Sequence, residues 1–396
     1  MLFAVFLKRT STTRGSVALT SPILLFADRL PPLIGGMEMH AGCFMQHFRG
    51  HRQFPLMAVL SRDPGGSDCL VSSIGCEPVD FEQLAARYEP TILFFNSGRW
   101  IEDLRTLRSL FPDAELTYRT GGNEILKAPL ERVPIESHAD RRRFWVDTLN
   151  DTIDTLVTNS EFTEGRLREA GVKCPFLRCV GGVSFSAVSK PRPVRRGPPV
   201  LLCAARFVPY KHHALLIEIA AALNARGHAF ELRLAGDGPL LEEARALVRG
   251  HGLEQRVRFL GALPHEATCA EIVAADVYVQ LSGDVPTPVP GGSYVHAEGM
   301  GRSILEALSA GTYVIAGRGG ALHEVVEPGR GELVEIGQPE QVIEALSRVL
   351  ADPPERRAPT DAYDWSRVFA RYTRHWEERD ATARRHREVR ARGGAA

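Results

Sequence analysis

The chain has 396 residues, enough for two domains with a sizeable core in each, and its 48 basic residues balance 48 acidic ones. That balance gives no general attraction to nucleic acid or to an anionic membrane, and no run of about eighteen apolar residues exists to span a bilayer. A soluble, cytoplasmic protein with no stable membrane anchoring is therefore expected. Seven cysteines with no Cys-x-x-Cys pair and no His/Cys cluster at zinc spacing read as reduced thiols.

The apolar opening, residues 1–7, is followed by Lys8 and Arg9 and is too short to cross a membrane, so residues 1–20 read as a disordered leader. A buried strand is predicted at 22–27. Gly35 and Gly36 then precede a helix through Met39, Cys43, Phe44, His47 and Phe48. A glycine pair there lets backbone approach a ligand and leaves N–H donors facing it. Strand-like runs recur at 56–60, 91–95 and 114–118, with helical stretches at 81–88 and 101–110. This alternation predicts a parallel, doubly wound sheet, which binds ligands at the carboxyl ends of its strands. Tyr118-Arg-Thr-Gly-Gly-Asn-Glu124 is a loop at that end, so Arg119, Asn123 and Glu124 become candidates for acceptor or donor contacts. The basic run 141–143 beside Phe144 and Trp145 is flanked by Asp140, Asp147 and Asp151, and reads as a solvated helix face. A strand at 155–160, a helix at 161–170 and a strand at 176–180 complete a first domain, 21–188. Residues 189–199, rich in proline and charge and without periodicity, form a linker.

A second alternating set starts with a strand at 200–206, followed by Pro209-Tyr-Lys211 and a helix at 215–223. Arg206 and Lys211 thus place two cations across one strand-to-helix loop. Strands follow at 230–235 and 257–261, the second leading into a loop at Leu263, and a further strand spans 276–281. After a segment at 283–297 comes His296-Ala-Glu-Gly-Met-Gly-Arg-Ser-Ile-Leu-Glu306. From Arg302 the apolar Ile304, Leu305 and Leu308 share one helical face, which leaves Glu306 pointing the other way. Gly299 and Gly301 mark the helix entrance, whose open N–H groups and positive dipole end favour a phosphate. Carboxylates beside a phosphate repel it, so Glu298 and Glu306 suit neutral hydroxyls, in which sugars and riboses are dense. A strand at 312–316, another at 332–336, a helix at 340–350 and a long charged helix from 364 end the chain.

Glu298-x7-Glu306 with its inner Gly299 and Gly301, Arg206-x4-Lys211 and the Gly35-Gly36 loop together resemble the retaining GT-B glycosyltransferases of the GT4 type, over residues 20–380. The resemblance implies an α/β fold, GT-B, of two Rossmann-like doubly wound domains with an interdomain cleft. Residues 21–188 would bind the acceptor and 200–363 the nucleotide-sugar. Residues 364–384 would form a helix returning to the first domain, and 385–396 a disordered tail. In that family the first glutamate, here Glu298, contacts the transferred sugar and the second, Glu306, the ribose. Arg206 and Lys211 would hold the diphosphate, Gly35 and Gly36 would sit across the cleft from it, and backbone near Leu263 would face the base. Gly299, Met300, Gly301, Arg302 and Ser303 would surround the donor at the helix entrance. The chain contains no Asp-x-Asp, the metal motif of the other common glycosyltransferase fold. Two fixed cations and helix-entrance N–H groups would stabilise the departing diphosphate without a metal or cofactor.

Many relatives carry a His-Gly pair where this chain has the 118–124 loop, so that role is not carried over. A small polar acceptor is expected. The motifs also resemble aminoglycoside-antibiotic transferases, which implies an aminocyclitol such as 2-deoxystreptamine or paromamine. Asp28, Glu38, Glu102, Asp103 and Glu124 are carboxylates available to such a cation. The alternatives are a lipid or cell-envelope polysaccharide transferase, a nucleotide-sugar-binding protein without turnover and, more remotely, a sugar-nucleotide epimerase. UDP is the family's usual nucleotide, and the residues leave GDP open. The 283–297 segment, directly before Glu298, should shape the choice of sugar or acceptor. The residues do not specify an oligomeric state.

Overall fold

The computed structural model describes residues 21–31, 36–62, 68–72, 75–78, 80–96, 98–121, 123–127, 138–194, 197–289 and 292–393. The first domain comprises, in order, β1 (Ile23–Ala27), α1 (Gly36–Phe48), β2 (Leu56–Arg62), β3 (Asp68–Ser72), β4 (Gly75–Pro78), α2 (Phe81–Arg87), β5 (Ile92–Asn96), α3 (Leu104–Leu110), β6 (Glu115–Arg119), α4 (Asn123–Leu126), α5 (His138–Thr152), β7 (Thr155–Thr158), α6 (Glu161–Glu169) and β8 (Phe176–Arg178), while α7 (Phe185–Val188), expected in this domain, packs through Val188 against Leu202 and Ile304 in the core of the second. Its sheet runs β4-β3-β2-β1-β5-β6-β7-β8. From β2 to β8 the neighbours pair parallel, as expected, while β3 and β4 add an antiparallel edge that the sequence reading did not contain. Every residue of β1 and β5 is buried, because helices cover both faces of a parallel sheet.

The second domain comprises β9 (Val200–Ala204), α8 (His213–Ala225), β10 (Glu231–Ala235), α9 (Leu241–Gly250), β11 (Val257–Gly261), α10 (His265–Ala274), β12 (Val277–Gln280), β13 (Val285–Val289), β14 (Gly292–His296), α11 (Arg302–Ala310), β15 (Tyr313–Gly317), β16 (Gly331–Val334) and α12 (Pro339–Ala351). Its parallel sheet runs β11-β10-β9-β12-β15-β16, which within this domain is the order 3-2-1-4-5-6 of a Rossmann sheet. The segment before Glu298 forms the antiparallel hairpin β13–β14.

Among the described residues, three connections between the domains stand out. The last helix, α13 (Trp365–Gly393), lies on the first domain and extends past residue 384, where the sequence reading ended it. Trp365, Phe369, Tyr372 and Trp376 on α13 share a core cluster with Ile23, Phe44 and Phe94, and Trp376 Nε1 donates to Thr117 Oγ1 at 3.0 Å. Burying an aromatic side chain of this size stabilises by roughly 1.5–3 kcal/mol before ordering costs. Tyr294, on the hairpin, is buried in the core of the first domain. Glu324, just after β15, accepts from the backbone N–H groups of Glu161 and Phe162 at 2.7 Å each, capping α6 from the other domain. Among the described residues no helix is long and apolar enough to cross a membrane, and Cys43, Cys174, Cys179, Cys203 and Cys269 are free.

Candidate active site

In a doubly wound sheet, ligands bind where the strand order reverses, because the loops leaving the two strands there diverge to opposite faces and open a crevice. In the second sheet that point lies between β9 and β12. Arg206 and Lys211 follow β9, and Ser282 follows β12. The α11 entrance brings Glu298, Gly301, Arg302 and Ser303 to the same crevice. Gly301 caps α11 at φ 70°, and a Cβ there would lie 2.7 Å from Leu322 Cδ2, so glycine is required on both counts. Met300 instead turns its side chain into the core, which leaves only its backbone available to a ligand.

Lys211 Nζ forms an ion pair with Glu298 Oε2 within a largely buried pocket, the two side chains 11% and 16% exposed. Gln280 Nε2 and Ser282 Oγ each donate to the same oxygen at 3.3 Å. Burial pushes the Glu298 carboxyl up, but the Lys211 charge and the donors from Lys211, Ser282 and the Gly301 backbone outweigh it and hold the group below the ordinary carboxylate range. Its backbone is gripped as well. Ala321 N donates to Glu298 O at 2.8 Å, and Gly320 packs so closely that a Cβ would lie 2.7 Å from Glu298 N. Arg206 is exposed and donates to Tyr210 OH at 3.3 Å, with no carboxylate partner among the described residues. The Tyr210 ring stacks on His296 at 3.8 Å, linking the phosphate-side loop to the hairpin. Burial, followed by the charge of Lys127, pushes His296 down to about 4, so its ring is neutral near neutral pH.

Glu306 lies opposite the Ile304 face without being exposed: α11 is buried nearly all round, and Glu306 is 4% exposed. One carboxylate oxygen meets His265 Nε2 at 2.9 Å and accepts from Arg302 Nη2 at 3.4 Å. His265 follows the half-buried Leu263 at the end of β11 and also lies 3.5 Å from Cys269 Sγ. His265, Cys269 and Glu306 present an N, an S and an O within 4.8 Å of one another. Burial pushes the Cys269 thiol up to about 12, and the Arg302 guanidinium already neutralises the carboxylate. That chemistry fits hydrogen bonding to hydroxyls better than thiolate ligation of a metal.

Across the cleft, Gly36 opens α1 directly against Arg302, since a Cβ on Gly36 would lie 3.9 Å from Arg302 Cδ. Gly35 lies outside the described residues, as do the side chains of Asn123 and Glu124. At the switch point of the first sheet, Asn96 Nδ2 donates to Met37 O at 2.8 Å, and Arg119 Nη1 donates to Asn96 Oδ1 at 3.2 Å. Arg119 thus braces the first turn of α1. Glu38, in that turn, is half-buried and makes no hydrogen bond or ion pair with the described residues. Glu102 is engaged by Arg141. Gly299 packs on the first domain, with a Cβ there 3.3 Å from both Asn159 Nδ2 and Gly121 O.

The sequence reading missed Gln280, Ser282, Tyr210, His265 and Gly320. A signal existed for the first two, which are polar residues at the carboxyl end of an otherwise apolar strand run.

Residues 186–363 match the model of the family Glycosyl transferases group 1. The chain is 24% identical over 361 residues to a GDP-mannose-dependent alpha-(1-6)-phosphatidylinositol monomannoside mannosyltransferase of Mycobacterium tuberculosis, covering 84% of this chain and 90% of that protein. It is 32% identical over 160 residues to a 2-deoxystreptamine glucosyltransferase of Streptomyces kanamyceticus, covering 40% of this chain and 38% of that protein. Among solved structures, HepE of Anabaena in complex with UDP is similar at a TM-score of 0.66 and 16% identity, over 91% of this chain and all 100% of that one. Sucrose-phosphate synthase from Thermosynechococcus elongatus is similar at 0.66 and 19%, over 91% and 100%. These likenesses give the fold as GT-B.

Proposed function

With a second domain that matches the glycosyl transferases group 1 model as the premise, we propose that this chain is a retaining, metal-independent glycosyltransferase. It would move a hexosyl or N-acetylhexosaminyl group from a nucleotide-diphosphate sugar to a small polar acceptor. The observation that carries the reading is the convergence of Lys211, Glu298, Arg206 and the Gly301 helix entrance on one switch point. The bond from the anomeric carbon to the diphosphate breaks as the acceptor oxygen attacks from the same face. Arg206, Lys211 and the N–H groups of α11 stabilise the charge developing on the leaving oxygen. Arg302 supports them, since its buried Nε has no partner among the described residues. Glu298 orients the sugar ring, Glu306 binds the ribose, and the leaving phosphate oxygen takes the acceptor proton. Carboxylate and cations in one site serve two different parts of one donor.

For the acceptor, Glu38 in the first turn of α1, which has no partner among the described residues, favours a cation, and an aminocyclitol such as 2-deoxystreptamine fits it. One observation favours a second reading. The similarity that spans most of the chain is to a transferase named for phosphatidylinositol, so a lipid-borne inositol is the alternative. Both acceptors present a hydroxylated six-membered carbocycle. The test is a mass-resolved transfer assay in EDTA, pairing UDP-glucose, UDP-N-acetylglucosamine and GDP-mannose with 2-deoxystreptamine, paromamine and phosphatidylinositol vesicles. A new aminocyclitol glycoside is the expected product. Glycosylated lipid alone would select the second reading, and no turnover of any donor would contradict the enzyme.

A further inference from the structure

Gln280 ends β12 fully buried beneath the site, and each of its amide atoms has two partners. Nε2 donates to Ser282 Oγ at 2.9 Å and to Glu298 Oε2 at 3.3 Å. Oε1 accepts from Ser303 Oγ at 3.0 Å and lies 3.1 Å from Tyr278 OH, whose proton it shares with Ala204 O. The amide cannot be turned over without cost. Reversal would aim Oε1 at the Glu298 carboxylate, and a buried carboxylate facing a carbonyl loses a donor and gains a repulsion. Ser282 Oγ accepts from Gln280 and has its own proton free for Glu298 Oε2.

The buried chain from Ser303 through Gln280 to Glu298 therefore has one direction. It connects the first turn of α11 to the carboxylate that precedes that helix.

We propose that Gln280 is a positioning residue: it clamps Oε2 of Glu298 from below, fixing the plane of the carboxylate against the donor sugar while holding Ser303 in register with it. The inference rests on the glycosyltransferase reading of the site. Gln280 acts through Glu298 and needs no contact with substrate. An unbranched side chain of the same length without the amide would leave Glu298 held by Lys211, Ser282 and the Gly301 backbone, but would remove the donor that fixes Oε2 from below and the tie to Ser303. A carboxylate in its place would set a second negative charge in hydrogen-bond range of Glu298. The titratable groups facing Glu298 are Lys211, which is paired with it, and His296 on the hairpin, with Tyr278 behind Gln280.

The experiment follows nucleotide release from UDP-glucose or GDP-mannose, whichever the unaltered protein turns over, for Gln280→Met and Gln280→Glu. Gln280→Met should lower kcat by about 10- to 100-fold with the donor KM changed less than about threefold, as expected when an interaction matters mainly in the transition state. Gln280→Glu should move the acidic limb of the kcat profile upward by about one pH unit, because a neighbouring like charge disfavours ionisation of Glu298. Should either variant fail to fold, Tyr278→Phe keeps the ring and removes the phenol that meets Oε1; it should lower kcat several-fold with the donor KM unchanged. Wild-type kcat in Gln280→Met, or an acidic limb unmoved in Gln280→Glu, would overturn the proposal. An unaltered protein that turned over neither donor would instead remove the reading on which it rests.

Discussion

The two sheets meet the cleft with switch points of opposite character. In the second sheet, between β9 and β12, the crevice holds Arg206, Lys211 and Glu298, with Arg302 and Glu306 on α11 beside it. In the first sheet, between β1 and β5, it holds Asn96, whose amide joins the Met37 carbonyl to Arg119. One crevice carries cations and a helix entrance, whereas the other uses its polar groups to fix the start of α1. The same topology thus yields one crevice with an ion pair and two further cations and another whose polar groups brace α1; on the proposed function the first would balance a leaving diphosphate and the second would shape the approach of the acceptor.

The predictions test that contrast, from the largest effect to the smallest. Glu298→Gln keeps the hydrogen bonds but removes the charge that pairs with Lys211, and should lower kcat by about 10²–10³-fold in the transfer assay, the scale of losing one preorganised electrostatic group. Tyr294→Ala empties a buried site in the first domain while altering a residue of the second, and should cost roughly 3 kcal/mol in urea unfolding. If that loss were within about 0.5 kcal/mol, the hairpin would not be a structural tie between the domains. Asn96→Ala leaves the Met37 carbonyl and the Arg119 guanidinium short of a partner, at a cost of about 1–3 kcal/mol. It should raise the acceptor KM and leave nucleotide affinity unchanged, and the reverse pattern would erase the division of labour. Glu324→Ala removes the acceptor of the Glu161 and Phe162 N–H groups, leaving the Ser160 cap of α6 in place, and should cost about 1 kcal/mol by thermal unfolding.

The smallest effect is in pH. Burial pushes His213 and His296 each down to about 4, below the unfolded value of about 6.5. The unfolded chain therefore binds more protons between these values, so their contribution to stability is complete above about pH 6.5 and is lost as pH falls toward 4. The urea midpoint should decline over that window, and His296→Phe, which keeps a ring against Tyr210, should make the decline shallower.

That Arg206, Lys211, Glu298 and the α11 entrance would gather at one switch point was legible in the chain because the groups involved are local. Arg206 and Lys211 share one loop, and Glu298 and Glu306 lie on one segment, so spacing alone sets them near one another. The parallel sheets were legible for a similar reason: β1, β5, β9 and β12 are short, mostly apolar runs with helical stretches between them. The environment of Glu306 was not. A helical wheel treats one face as buried, and α11 is wrapped on nearly all sides by neighbours that come from distant parts of the chain. The bracing of α1 was also out of reach, since Met37 in the first turn of α1, Asn96 ending β5 and Arg119 ending β6 lie far apart in the chain and only the sheet order makes them neighbours. The hairpin was visible as an insertion. Its anchorage through Tyr294 depends on a core built more than a hundred residues earlier.

The most direct test of the donor assignment is calorimetric titration of the protein with UDP and with GDP in EDTA, repeated on Arg206→Ala/Lys211→Ala. The account predicts that one nucleoside diphosphate binds without metal and that the double variant weakens it at least about 100-fold, as expected for removing two charge-assisted contacts. Unchanged affinity in the double variant, or binding only when a divalent cation is supplied, would contradict it.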